Sequence, residues 1–199
     1  MEGGGNAVIS LAFSPDGQIL AAGTAGGAVQ MWHVADGVPA NEIAAHGDSV
    51  VSVAFSPDGA TLATASLDTT VALWRVAEGE LLARTETHPV TTGVAFSPDG
   101  RLLVANRRLL RVPDLHPVRE LAPAKGGMGD VAFSPDGSLI AAGNAWYEVR
   151  WWRVADGALV HTVAGHSDSV NSVAYASDGA TLVSGSLDGT VRVWQVPEG

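Results

Sequence analysis

The chain has 199 residues, 46% of them hydrophobic, which suits one domain with a large core and excludes global disorder. Its formal net charge of −10 repels a phosphate backbone, so nucleic acid is disfavoured as a partner. There is no cysteine, which removes disulfides, thiolate metal ligands and cysteine nucleophiles together.

The opening stretch "MEGGGNAVIS" lacks a basic leader, and no apolar run approaches the ~18 residues a membrane span needs. A soluble, cytoplasmic chain without membrane contact is expected. The phrase "LAFSPDG" then appears at 11–17 and returns as "VAFSPDG" at 53–59, 94–100 and 131–137, and as "VAYASDG" at 173–179. Phe13, Phe55, Phe96, Phe133 and Tyr175 mark one position, at spacings of 42, 41, 37 and 42. A period near 40 signals a solenoid or propeller. Trp32, Trp74, Trp152 and Trp194 each follow the aromatic by 19 residues. In the third copy Leu110 takes the Trp place, and about five residues before it are missing.

Within a copy, the second being the fullest, the elements come in a fixed order. A Val-rich strand at 49–56 ends in "SPDG". In that turn Pro presets φ, Asp bonds its own backbone and Gly accepts positive φ. A second strand is expected at 60–66, a tight bend "LDTT" at 67–70, a third strand at 71–76, a turn at 77–79 and a fourth strand at 80–86. The third strand carries adjacent apolar pairs: Met31 and Trp32, Leu73 and Trp74, Trp151 and Trp152, Val193 and Trp194. Adjacent residues on a strand face opposite sides, so both faces of each sheet are buried. Sheets stacked radially satisfy this: an all-β propeller of five four-stranded repeats, the last lacking its fourth strand. The expected domain is 1–199, with repeats at about 7–46, 47–88, 89–124, 125–166 and 167–199.

The second copy, "AHGDSVVSVAFSPDGATLATASLDTTVALWRV", and the fifth, "GHSDSVNSVAYASDGATLVSGSLDGTVRVWQV", resemble WD40 repeats in a bacterial style. Gly165, His166, Asp188 and Trp194 fit that pattern, as do His46, Asp68 and Trp74, although no Asp follows any of the tryptophans. The resemblance implies that His46, Ser66, Asp68 and Trp74, and likewise His166, Ser186, Asp188 and Trp194, form buried structural networks and not catalytic triads. It also implies a non-enzymatic scaffold that binds a protein or peptide on one rim.

The most unusual rim loop is "NAWYEVRWW" at 144–152. Trp146 and Tyr147 stand where other copies have Gly, Asp or Thr. Arg107 and Arg108 occupy the truncated bend of the third copy. Leu67, Leu187, Ser169 and Asn171 share the rim by register. An acidic or C-terminal peptide would suit two aromatics beside two arginines. The alternative use of the aromatics is to cover the shortened third repeat.

No cofactor is expected. Metal is not expected either, since His33, His88, His116 and His161 lack paired ligand spacing. The fifth repeat leaves an edge strand at 191–196, with Val191, Val193 and Val196. "MEGGGNA" is a poor strand with which to close it. The second reading of the chain is therefore a self-associating or fragmentary propeller module, an edge-strand homo-oligomer serving as a regulatory region of a larger bacterial signalling protein.

Overall fold

The computed structural model describes residues 7–87 and 92–197. His88, Met1–Asn6 of the opening segment and residues 198–199 lie outside the described residues. Five antiparallel sheets follow one another as the blades of a β-propeller. Blade one holds β1 (Val8–Phe13), β2 (Ile19–Thr24), β3 (Ala28–His33) and β4 (Pro39–Ala44). Blade two holds β5 (Val50–Phe55), β6 (Thr61–Ser66), β7 (Thr70–Arg75) and β8 (Glu80–Glu86). Blade three holds β9 (Val94–Phe96), β10 (Leu102–Ala105), β11 (Arg108–Arg111) and β12 (Pro117–Glu120). Blade four holds β13 (Val131–Phe133), β14 (Leu139–Gly143), β15 (Glu148–Arg153) and β16 (Leu159–Ala164). Blade five holds β17 (Val170–Tyr175), β18 (Thr181–Ser186) and β19 (Val191–Gln195), three strands in all. Among the described residues there is no helix, hence none able to cross a membrane.

The turn between the first two strands of a blade is built as its residues require. Ser56 Oγ donates to Asp58 Oδ1 at 2.5 Å, the Ala60 amide donates to the same oxygen at 3.0 Å, and the Thr61 amide donates back to Ser56 Oγ at 2.9 Å. The same bonds recur around Asp16, Asp99 and Asp136. The serine hydroxyl, then the backbone amide, holds each of these carboxyls below its ordinary pKa. The closing glycine has φ between +70° and +74° in all five blades. In blade five Ala176 replaces the serine, and Asp178 keeps only its bonds from the Ala180 and Thr181 amides.

Apolar alternation along the third strand does the rest. Val71 and Leu73 face blade three, while Ala72 and Trp74 face blade one, and all four are buried. Four such clusters lie between consecutive blades, centred on Val29 and Met31, Val71 and Leu73, Val104 and Leu109, and Val149 and Trp151. Blade three manages without the long bend. A two-residue turn at Asn106 and Arg107 joins β10 to β11, and Leu110 fills the tryptophan position, fully buried.

Replacing Asp58 by Ala removes an acceptor used by two donors. It should lower unfolding stability at pH 7 by about 1 kcal/mol, read by urea denaturation.

Candidate functional site

Two side-chain networks stand out by their burial. The His46 side chain has no exposed surface and that of Asp68 is 16% exposed. His46 Nδ1 lies 3.1 Å from Asp68 Oδ2 and 2.9 Å from Thr70 Oγ1. Its Nε2 lies 2.7 Å from Thr64 Oγ1, which also accepts the Trp74 indole N–H at 2.9 Å. This assigns a neutral ring with its proton on Nδ1: that nitrogen donates to the carboxylate, and the Thr64 hydroxyl donates to Nε2. Asp68 also accepts from the Gly47 amide at 3.0 Å and from the Thr70 hydroxyl at 2.7 Å. Blade five repeats the design, with His166 Nδ1 2.8 Å from Asp188, Nε2 2.7 Å from Ser184 Oγ, and Trp194 donating to Ser184 at 2.8 Å.

One expectation needs correcting. The hydroxyl joining histidine to tryptophan is Thr64 or Ser184, not Ser66 or Ser186. Ser66 Oγ instead donates to the Asp48 carbonyl at 2.9 Å and accepts the Asp68 amide at 3.0 Å. Ser186 does the same with Asp168 and Asp188. Strand alternation is the reason: residues two apart share a face, but only the earlier one stands across the sheet from the tryptophan's neighbour. A signal was present. Blades one, three and four have Ala22, Ala105 and Ala142 at this position, and a hydroxyl appears only where His and Asp are also present. Both nitrogens of each imidazole are engaged, and neither ring has exposed surface for a substrate to reach.

Blade four solves the same problem differently. Trp146 occupies the position of Asp68, and Lys125 precedes the first strand where Gly47 does in blade two. The Lys125 ammonium lies 5.8 Å from the Trp146 ring centroid, a cation–π contact in place of the His–Asp bridge. Gly126 packs so closely under the indole that a Cβ there would come within 2.9 Å of it. Asn144 closes the bend by accepting the Trp146 amide at 2.8 Å and the Glu148 amide at 3.1 Å. Beneath it, buried Arg150 pairs with Glu148 and donates to the Lys125 carbonyl. The outer side of Trp146 stays free: the residue is 53% exposed and Tyr147 is 44% exposed. Tyr147 has φ of +69°, the value that Thr69 has at the matching place in blade two, where blades one and five have Gly27 and Gly189. A bulky side chain in this region is a strained exception.

The other rim residues are distributed around the same side. Leu67 and Leu187 are exposed in their bends. Ser169, Val170 and Asn171 line a shallow pocket of about 350 Å³ with Thr92, Met128 and Asn144. Arg107 donates to the Leu121 carbonyl at 3.4 Å, and Arg108 to that of Glu86 at 3.4 Å, with Glu120 3.8 Å away. The cation in contact with Trp146 is therefore Lys125, a residue the sequence reading missed. Its signal lay in its place, at the loop position that meets the bend in blade two. On β19, Val191 is 74% and Val193 65% exposed, whereas Val196, just past the strand's end at Gln195, is half-buried.

The profile of the WD domain, G-beta repeat, matches residues 1–33, 37–75, 116–153 and 157–195. The chain belongs to the WD40 family. The full-length matches begin before the outer strand of one blade and end with the third strand of the next, so the family's repeat straddles two blades. The unmatched stretch contains β8 to β11 and thus most of blade three, where the bend and the tryptophan are lost. No curated protein matches this sequence. WD40 propellers are generally non-enzymatic interaction modules.

The networks set an acid response. Burial pushes the His46 pKa below 6.5, outweighing the pull of Asp68, and the Arg84 charge adds to the lowering. Burial opposes the Asp68 charge, but hydrogen bonds from the Thr70 hydroxyl and the Gly47 and Thr70 amides, with His46 beside it, bring the carboxyl from 3.8 down to about 2. For both groups the unfolded chain binds a proton first as pH falls, so stability drops with falling pH. The His46 contribution is lost as pH falls below about 6.5, and the Asp68 contribution, on the order of 2 kcal/mol, between about pH 4 and 2. Denaturation midpoints measured against pH should show both steps. His46→Gln should flatten the first step while costing about 2 kcal/mol at pH 7.

Proposed function

We propose that this WD40 propeller is a non-enzymatic scaffold that captures a protein or peptide on the rim carrying Trp146. One observation carries the reading: two adjacent aromatics stand half-exposed on a bend fixed by Asn144, Gly126 and Lys125. Two exposed aromatics on a bend held from beneath point to use, since an exposed aromatic pair adds nothing to the core. Rigid aromatics with one polar tip make good interface anchors. Lys125, Arg107 and Arg108 supply positive charge on this rim, so the partner is an acidic segment or the terminal carboxylate of a peptide. Leu67, Leu187, Ser169 and Asn171 form the remainder of the contact surface.

The test begins with peptides selected by display for binding to the propeller. Their affinities are then compared by calorimetry with those for a variant combining Trp146→Ala, Tyr147→Ala, Arg107→Ala and Arg108→Ala. A loss of tenfold or more is expected, and undiminished affinity refutes the rim. Tyr147→Gly separates binding from packing: it should raise stability by about 1 kcal/mol while weakening the peptide.

The second reading, self-association through the free edge of β19, is favoured by the lack of a fourth strand in blade five among the described residues. A proline in place of Val193 would block such pairing.

A further inference from the structure

Blades dock on one another through three recurring contacts, found at two, three and all four of the interfaces respectively. First, the leading valine of a blade fills a notch left by a glycine in the preceding blade. Val50 sits so close to Gly23 that a Cβ there would come within 2.8 Å, and Val170 so close to Gly143 that the distance would be 2.5 Å. Second, a polar side chain of the earlier blade accepts an amide of the later one: Ser10 from Val53 at 3.1 Å, Ser52 from Val94 at 3.2 Å and Asp130 from Val173 at 3.3 Å. Third, the aromatic of the repeat phrase enters the cluster between the blades, as Phe55, Phe96, Phe133 and Tyr175 do.

The two end blades carry the unmatched halves of this interface. On blade five, Gly185 has nothing within 4 Å of where a Cβ would stand. Ser172 takes the place of Ser10 and Ser52, and Val183 and Val193 take the places of Ala63 and Leu73, which are fully buried between blades two and three. Val183 and Val193 are instead exposed. On blade one, Val8, Leu11 and Phe13 occupy the positions of Val50, Val53 and Phe55, at 47%, 61% and 62% exposure. None of the four clusters joins blade five to blade one.

We propose that blade one of a second copy of this protein docks on the uncovered face of blade five, its Val8 seated at Gly185 and its Leu11 amide donating to Ser172. The warrant is continuity: each half fits the other as Gly23 and Ser10 fit Val50 and Val53 between blades one and two, and as Gly143 and Asp130 fit Val170 and Val173 between blades four and five. One rung is weaker. Pro15, Pro57, Pro98 and Pro135 each lie against the turn glycine of the next blade, whereas blade five offers Ser177 to Gly17. The contact is heterologous, so it leaves one free face at each end of the pair. It does not use the free edge of β19.

Two substitutions disable opposite halves. Gly185→Val fills the notch, and in the single molecule a Cβ there has nothing within 4 Å. Val8→Asp puts a charge on an already exposed position. Circular dichroism and melting should confirm that both variants fold. Sedimentation of the unaltered protein should show a mass above 20.4 kDa that climbs with concentration. Each variant alone should self-associate about tenfold more weakly or not at all. An equimolar mixture should restore a species of two molecules and no larger, because each variant retains the half that the other lacks.

A constant monomer mass for the unaltered protein overturns the proposal. So does a mixture that stays monomeric, or an assembly that both variants leave intact while Val193→Pro abolishes it. The last result would leave the edge reading standing alone. Peptide capture on the Trp146 rim is unaffected by any of these outcomes.

Discussion

A small antiparallel sheet with apolar side chains on both faces cannot stand alone in water, and every blade here is such a sheet. Val71 and Leu73 on one side of β7, and Ala72 and Trp74 on the other, are all buried only because blades one and three flank blade two. Burying one large apolar side chain contributes roughly 1.5–3 kcal/mol, so each interface outweighs any single turn or ion pair. Close approach demands small residues on the second strands. Ala21, Ala63, Ala65 and Ala141 are fully buried there, and glycine takes over where a valine from the next blade presses in. Stability is then a sum over neighbours, as in other repeat proteins. The same requirement makes the faces of the terminal blades the least satisfied surfaces of the molecule.

The loops inherit this rigidity and use it differently from blade to blade. In blades two and five a buried imidazole ties the entry loop to the bend between the second and third strands, and a carboxylate and a hydroxyl use up both of its nitrogens. The result is a closed polar unit that ties two loops together. In blade four the tie is Lys125 over Trp146, which leaves one aromatic face in solvent. A loop anchored from beneath and open above presents side chains at little entropic cost, which is what a binding rim requires. In blade two the same network sets an acid response, since burial and hydrogen bonding lower the pKa of His46 and of Asp68.

Much of this was legible in the residues alone. The repeat phrase, the spacing of Phe55 and Trp74, and the doubly apolar third strand determine five stacked sheets, because strand alternation and turn chemistry are local rules. The SPDG turn reads the same in sequence and in space, since Ser, Pro, Asp and Gly act within four residues of one another. The pairing of His46 with Asp68 was also legible, through family resemblance. What only the tertiary structure decided were contacts between residues distant in sequence whose identity carries no local signature. Thr64, not Ser66, bridges His46 to Trp74, because the geometry across two strands selects the hydroxyl. Lys125, not Arg107 or Arg108, meets Trp146, because the loop before β13 folds back over its own bend. Gly185 is an open notch, while Gly23, the same residue type at the same place in its repeat, is filled. What separates these two glycines is a long-range contact: Val50 of the next blade presses on Gly23, and no described residue presses on Gly185.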